Sequence, residues 1–246
     1  MTATIVRYPD PAALVAAAAD VVARELREAV ERRGRACVVL AGGETPRALY
    51  RRLAEYREEL PWANVWWFFG DERWVPKNDP LSNFAMIEQA LFSKAPIPRA
   101  QIVAVPTDAA NPAAGARAYE TALRAQFPSV GWPEFDLVLM GLGADGHTAS
   151  LFPGDPALGE PAAWVTTTRA GRPVPDRVTL TIPVFTRARS MVFLVTGAAK
   201  ADALVATLTG PRDPTRWPAQ AVIPASGRCL WLVDHAAAAK LPSSSS

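Results

Sequence analysis

Histidine and cysteine are scarce in this chain of 246 residues, which has two of each. Cys37 opens one apolar run and Cys229 begins another, so they make no disulfide framework and read as two reduced core thiols. With so few histidines and cysteines there is almost no material for a multi-ligand zinc site, and neither a metal nor a cofactor is expected. An excess of one charge sign is missing too: 26 Lys+Arg stand against 24 Asp+Glu, a formal net charge of +2. Neutralising many phosphates needs a far larger excess, which argues against a nucleic-acid partner and leaves small anionic ligands open. No apolar run reaches the roughly 18 residues of a membrane-spanning helix. The opening MTATIVRYPD has neither the charged nor the apolar region of a signal peptide. A cytoplasmic protein without membrane contact is the expectation. Gly-x-Ser-x-Gly occurs nowhere, which removes the common serine-hydrolase elbow.

Apolar residues are plentiful, at 50%, and their spacing is informative. Asp10 and Pro11 suit the cap and first position of a helix in which Leu14, Ala18, Val22, Leu26 and Val30 recur every four residues until Gly34. Cys37 to Ala41 then reads as a strand buried on both faces, Gly42-Gly43 breaks it, and Thr45 and Pro46 are expected to cap and start a second helix through Ala54. The alternation continues with a strand over Val65–Phe69, a loop from Gly70 to Leu81 and a helix from Ser82 through Leu91. A strand over Ile102–Val105, a helix over Asn111–Phe127 and a strand over Phe135–Met140 come next. Later strands are expected near Trp164–Thr168, Val178–Thr181, Met191–Thr196 and Leu230–Val233, with a helix over about Ala198–Thr209. Strand then helix, repeatedly, predicts an α/β fold: a mostly parallel sheet with helices on both faces. No long linker or fixed-period repeat is visible, so residues 1–240 are expected to form a single domain and 241–246 a disordered tail.

Ligands of parallel sheets bind outside the carboxyl ends of the strands, so the residues directly after each apolar run matter most. After Leu40 stands Gly42-Gly43-Glu44-Thr45-Pro46, after Phe69 stands Gly70-Asp71-Glu72-Arg73, and after Met140 stands Gly141-Leu142-Gly143-Ala144-Asp145-Gly146-His147. Gly141-x-Gly143-x-x-Gly146 matches a dinucleotide fingerprint only formally. Pro153-Gly154 stops the helix that the fingerprint needs, and no strand ending in an acid lies at the required distance. The glycines are better read as shaping a turn that presents Asp145 and His147. An isolated histidine is usually structural, and His235 near the chain end keeps that reading. His147 sits at a strand end where no apolar stripe demands it, which favours a general base. The Gly42-Gly43 turn before a helix start suits an anion, because free backbone N–H groups point there. Arg73 is a candidate anion anchor, and Lys200 can supply a further charge.

At these residues the chain closely resembles the lactonase branch of the glucosamine-6-phosphate isomerase/6-phosphogluconolactonase family. The matching segments are LAGGETPRALYRRL, FFGDERWVP with SNFAM, FDLVLMGLGADGHTASLFPG, RPVPDRVTLTIP and VTGAAKADAL, in family order between residues 40 and 204. The resemblance implies a Rossmann-like sheet and hydrolysis of a small-molecule substrate, 6-phospho-D-glucono-1,5-lactone, to 6-phosphogluconate in the oxidative pentose phosphate pathway. By motif, His147 looks like the base that activates water, with Asp145 and Asp71 orienting it or holding sugar hydroxyls. Arg73 and Lys200 look like anion-binding groups, Arg172 and Arg177 like weaker candidates for the phosphate, and Gly42, Gly43 and Thr45 like a loop that closes on the ligand. A monomer or weak dimer is expected. Two positions depart from the pattern: Leu81 stands where the lactonases commonly carry a polar or acidic residue, and Glu44 where a small or polar one is usual.

Two other readings compete with this one. The deaminase/isomerase branch of the same family typically has Tyr after its Asp-Glu pair and a ring-opening Glu five residues after the histidine, where this chain has Arg73 and Phe152. A non-catalytic sugar-phosphate sensor usually carries an added DNA-binding helix pair, for which the pattern, with its first helix from about residue 11 and the sheet directly behind it, leaves no room.

Overall fold

The computed structural model describes residues 4–56, 59–128, 131–169, 171 and 173–242. Ten strands are described: β1 Thr4–Tyr8, β2 Ala36–Leu40, β3 Val65–Phe69, β4 Asp71–Arg73, β5 Ile102–Val103, β6 Leu137–Met140, β7 Val165–Arg169, β8 Asp176–Leu180, β9 Ser190–Val195 and β10 Arg228–Asp234. The α-helices among the described residues are α1 Pro11–Arg33, α2 Glu44–Leu53, α3 Asn83–Ile87, α4 Pro112–Gln126, α5 Ile182–Phe185 and α6 Ala201–Leu208.

Seven strands form one parallel sheet in the order β1-β10-β9-β6-β2-β3-β5. The chain runs outward from β2 through β3 to β5, then returns to the other side of β2 with β6 and continues through β9 and β10. The direction of winding therefore reverses between β2 and β6, and the loops leaving these two strands part there to leave a crevice. A sheet covered on both faces must be apolar throughout, and every residue of β2, β6 and β9 is buried. Phe193 of β9 stacks on Trp231 of β10 with ring centroids 3.7 Å apart.

The sequence pattern is realised closely in α1, where Asp10 accepts from the Ala13 N–H at 2.8 Å and Gly34 ends the helix at φ 74°. Elsewhere the structure corrects it. The span Gly70–Leu81, expected as loop, contains β4, which pairs with β8 and so joins a separate antiparallel sheet β4-β8-β7. Charged residues hid that strand. The edge strand β1 was not expected either, because one five-residue run with exposed positions gives a weak signal. Gly43, not Thr45, is the cap residue of α2. The Thr45 hydroxyl instead meets Thr196 Oγ1 at 2.7 Å. The helix after Ser82 leaves α-geometry at Ile87 and continues as one π-turn over Glu88–Phe92. Leu241, assigned to the tail, is buried in the core. No helix among the described residues is long and apolar enough to cross a membrane.

Candidate active site

A cleft of about 530 Å³ opens at the carboxyl ends of β2, β3 and β6, where the winding reverses. Gly42, Gly43, Asp71, Arg73, Asp145, His147, Arg177 and Lys200 all line it. The expected residues thus come from five separate segments to one place. Thr45 does not line this cleft, being turned towards Thr196, and Arg172 lies outside the described residues. His235 is exposed and away from it.

His147 is presented by the turn after β6. Gly143 N–H donates to His147 O at 2.7 Å and closes the turn, and Gly146 turns the chain at φ +84°. His147 Nδ1 lies 2.5 Å from Asp145 Oδ1, and the His147 backbone N–H donates to the same oxygen at 3.2 Å. These two bonds from His147 hold the Asp145 carboxyl down at about 2, the side-chain bond being the larger cause and burial opposing it. A carboxylate is an acceptor only, so Nδ1 carries the proton towards Asp145 and Nε2 keeps its lone pair free. The Phe152 ring packs on the imidazole at 4.8 Å between centroids. Gly143 makes this pairing possible: a Cβ there would stand 2.0 Å from His147 Nδ1 and 2.5 Å from Asp145 Oδ1.

Positive charge collects in the same cleft, from Arg73, Arg177 and Lys200. Arg73 and Arg177 are register partners on β4 and β8. Arg73 Nη1 donates to Leu81 O at 2.7 Å, and Arg177 Nε donates to Val174 O at 3.0 Å. Because Leu81 serves through its backbone carbonyl, its apolar side chain does not disturb that contact. Burial pulls the Arg177 guanidinium below its ordinary value, Asp71 opposes this, and Arg73 adds to it. Among the described residues, Arg73, Arg177 and Lys200 form no ion pair with a carboxylate, whereas Arg228 sits on Glu25 and Arg99 on Glu88. Unpaired cations converging on one cleft suit an anion such as a phosphate monoester. Glu44 does not compete with them; it is 82% exposed and pairs with Arg47 at 3.2 Å.

Two neighbours in the cleft were not singled out from the sequence: Asn83 and Ser150, which flank Asp71. Phe152, noted in the sequence only for standing where the isomerase branch has its Glu, flanks the base. Asn83 and Ser150 stand in the matching segments SNFAM and GHTAS, but their contacts span 12 and 79 residues of sequence, which periodicity does not reveal. Glu72 is structural. Only 2% exposed, its carboxyl accepts from the backbone N–H groups of Arg73, Asn83 and Phe84 and from Ser82 Oγ, fastening the start of α3 to β4. Burial raises its carboxyl, and those bonds oppose the rise. Burial disfavours the thiolate form of both cysteines, pushing Cys37 up to about 12 and Cys229 up to about 11, and neither lines the cleft.

The model of the family described as glucosamine-6-phosphate isomerases/6-phosphogluconolactonase matches residues 9–231. A 6-phosphogluconolactonase of Synechocystis sp. is 42% identical over 223 residues, covering 89% of this chain and 90% of its own. One of Nostoc sp. is 38% identical over 244 residues, covering 98% and 99%. The structure of 6-phosphogluconolactonase from Trypanosoma cruzi superposes with a TM-score of 0.86 at 28% identity, covering 99% of both chains.

Proposed function

The chain belongs to the glucosamine-6-phosphate isomerase/6-phosphogluconolactonase family, and from that premise we propose that it hydrolyses 6-phospho-D-glucono-1,5-lactone to 6-phosphogluconate with His147 as the general base. The observation that carries the reading is the Asp145–His147 pair sharing one cleft with the unpaired cations Arg73, Arg177 and Lys200. Asp145 fixes the tautomer. A water hydrogen-bonded to Nε2 attacks the lactone carbonyl carbon and gives its proton to the imidazole. The carbonyl electron pair moves onto the exocyclic oxygen, beside the backbone N–H groups of the Gly42-Gly43 turn. When the tetrahedral intermediate collapses, the ring C–O bond breaks and the imidazolium returns the proton to the departing ring oxygen. The new carboxylic acid then loses its proton to solvent. Arg73, Arg177 and Lys200 hold the 6-phosphate and so set the carbonyl in front of the base. The lactone is already electrophilic, so one base contributing roughly 10²–10⁴ in rate is sufficient chemistry without metal or covalent nucleophile.

The isomerase reading is disfavoured by the same cleft. Asp71 and Asp145 are its lining acids among the described residues, and both are hydrogen-bonded to neighbouring side chains. Phe152 places an aromatic ring against His147 where a further carboxylate would have to stand. Because the lactone also opens spontaneously, the test generates it fresh with glucose-6-phosphate dehydrogenase and tracks its disappearance with and without the protein. Acceleration of lactone loss, with no ammonia released from glucosamine 6-phosphate, is the expected result. Ammonia release without lactone hydrolysis would overturn the reading.

A further inference from the structure

The cleft holds a second polar chain that the base does not use. Ser150 Oγ donates to Asp71 Oδ2 at 2.5 Å. Asn83 Nδ2 donates to Asp71 Oδ1 at 3.2 Å and to the Asp71 backbone oxygen at 3.0 Å. Ser150, Asp71 and Asn83 are 1%, 8% and 2% exposed. Both Asp71 oxygens are therefore engaged by donors from two different segments, while the imidazole Nδ1 is already taken by Asp145. The Asn83 amide orientation is dictated by its partners, because Asp71 offers acceptors only. Its Oδ1 is left buried without a partner, against Gly42, where a Cβ would stand 2.1 Å away. One Asn-Asp-Ser chain thus joins the start of α3, the β3–β4 junction and the turn after β6.

The backbone beside Ser150 is under tension. Ala149 has φ +48°, the one positive φ at a non-glycine among the described residues. Such a conformation persists where surrounding contacts over-determine it. Those contacts are visible: Thr148 Oγ1 donates to Gly141 O at 2.7 Å, Leu151 N–H donates to Thr148 O at 3.0 Å, and Ser150 is fastened to Asp71.

We propose that Ser150 is a positioning residue for the base: its hydrogen bond to Asp71 clamps the strained 147–150 turn onto the β3–β4 junction and fixes where His147 points. Asp71 is then the anchor of the clamp and acts through Ser150. This inference rests on His147 being the base. Ser150→Ala removes the clamp while leaving every group of the Asp145–His147 pair in place, and Ser150→Thr restores a hydroxyl.

The test measures kcat and KM on fresh lactone for wild type, S150A, S150T, D71N and S150A/D71N, together with amide hydrogen exchange. The probes are Gly143 N–H, bonded to His147 O, and Leu151 N–H, bonded to Thr148 O. A mispositioned base costs rate more than affinity, so S150A is expected to lose about tenfold in kcat with KM within about twofold. S150T recovers most of that loss. In the D71N background S150A costs less than about twofold more, because residues acting through one bond are not additive. Exchange at Gly143 and Leu151 accelerates in S150A. An S150A kcat within twofold of wild type, fully additive losses with D71N, or unchanged exchange at both amides overturns the proposal. Running H147A alongside separates the two ideas: full activity in H147A removes the base, whereas the exchange readout still decides whether Ser150 clamps the turn.

Discussion

Arg73 and Arg177 face each other across the β4–β8 pair, two like charges on one wall of the cleft with no carboxylate paired to either among the described residues. An anion lying between or beside them would relieve their mutual repulsion. Replacing either with Ala removes charge-assisted hydrogen bonds that contribute about 1.5–3 kcal/mol each, or roughly 10–100-fold in KM for the phosphorylated lactone. The same variants are expected to hydrolyse unphosphorylated glucono-1,5-lactone within about twofold of wild type, since no phosphate contact is lost there. Steady-state kinetics on the two substrates checks this. Equal losses on both would remove the phosphate assignment.

Gly143→Ala tests how closely the base is fitted. The added methyl would stand 2.0 Å from His147 Nδ1 and must displace the imidazole, Asp145 or both. Both side chains are partly exposed, at 34% and 55%, so they swing out without unpacking the core. A displacement on the order of 1 Å is expected to lower kcat about 100-fold, with the thermal midpoint little changed. Gly42→Ala behaves differently, because its methyl would meet buried Asn83 at 2.1 Å. Overpacking there is expected to cost about 1–3 kcal/mol of stability, read by denaturant unfolding.

The Asp145 carboxyl, held at about 2 against an ordinary 3.8, fixes the sign of a pH effect. A carboxyl lowered in the folded state stabilises the fold fully above its unfolded value, and that contribution is lost as pH falls through the folded value. The thermal midpoints of wild type and Asp145→Asn are therefore expected to differ by a constant amount above about pH 4 and to converge as the pH falls towards 2. Melting curves across that range check it. A gap that widened with acidification would contradict the pairing.

Much of this was legible in the sequence for a physical reason. Parallel strands buried on both faces announce themselves as apolar runs, and the glycines, acids and basic residues directly after Leu40, Phe69 and Met140 mark the carboxyl ends where ligands sit. Two strands of the antiparallel sheet, β7 and β8, were legible, but β4 was not, because Asp71-Glu72-Arg73 has no apolar alternation and is a strand only through its pairing with β8. Thr45 misled for the opposite reason: it has the chemistry of a cap, but Gly43 takes that place at φ 112° and the hydroxyl finds Thr196. Arg177 ranks below Arg73 in the sequence, yet the register places them side by side. The Ser150–Asp71–Asn83 chain depends wholly on tertiary contact, which no local pattern encodes.

The central claim is that one imidazole carries the chemistry, and His147→Ala tests it most directly. With lactone generated in the cuvette and the spontaneous rate subtracted, the variant is expected to keep the wild-type fold and phosphate affinity while kcat falls about 10²–10⁴-fold, the usual contribution of a general base. A folded H147A protein that hydrolyses the lactone at the wild-type rate would contradict it.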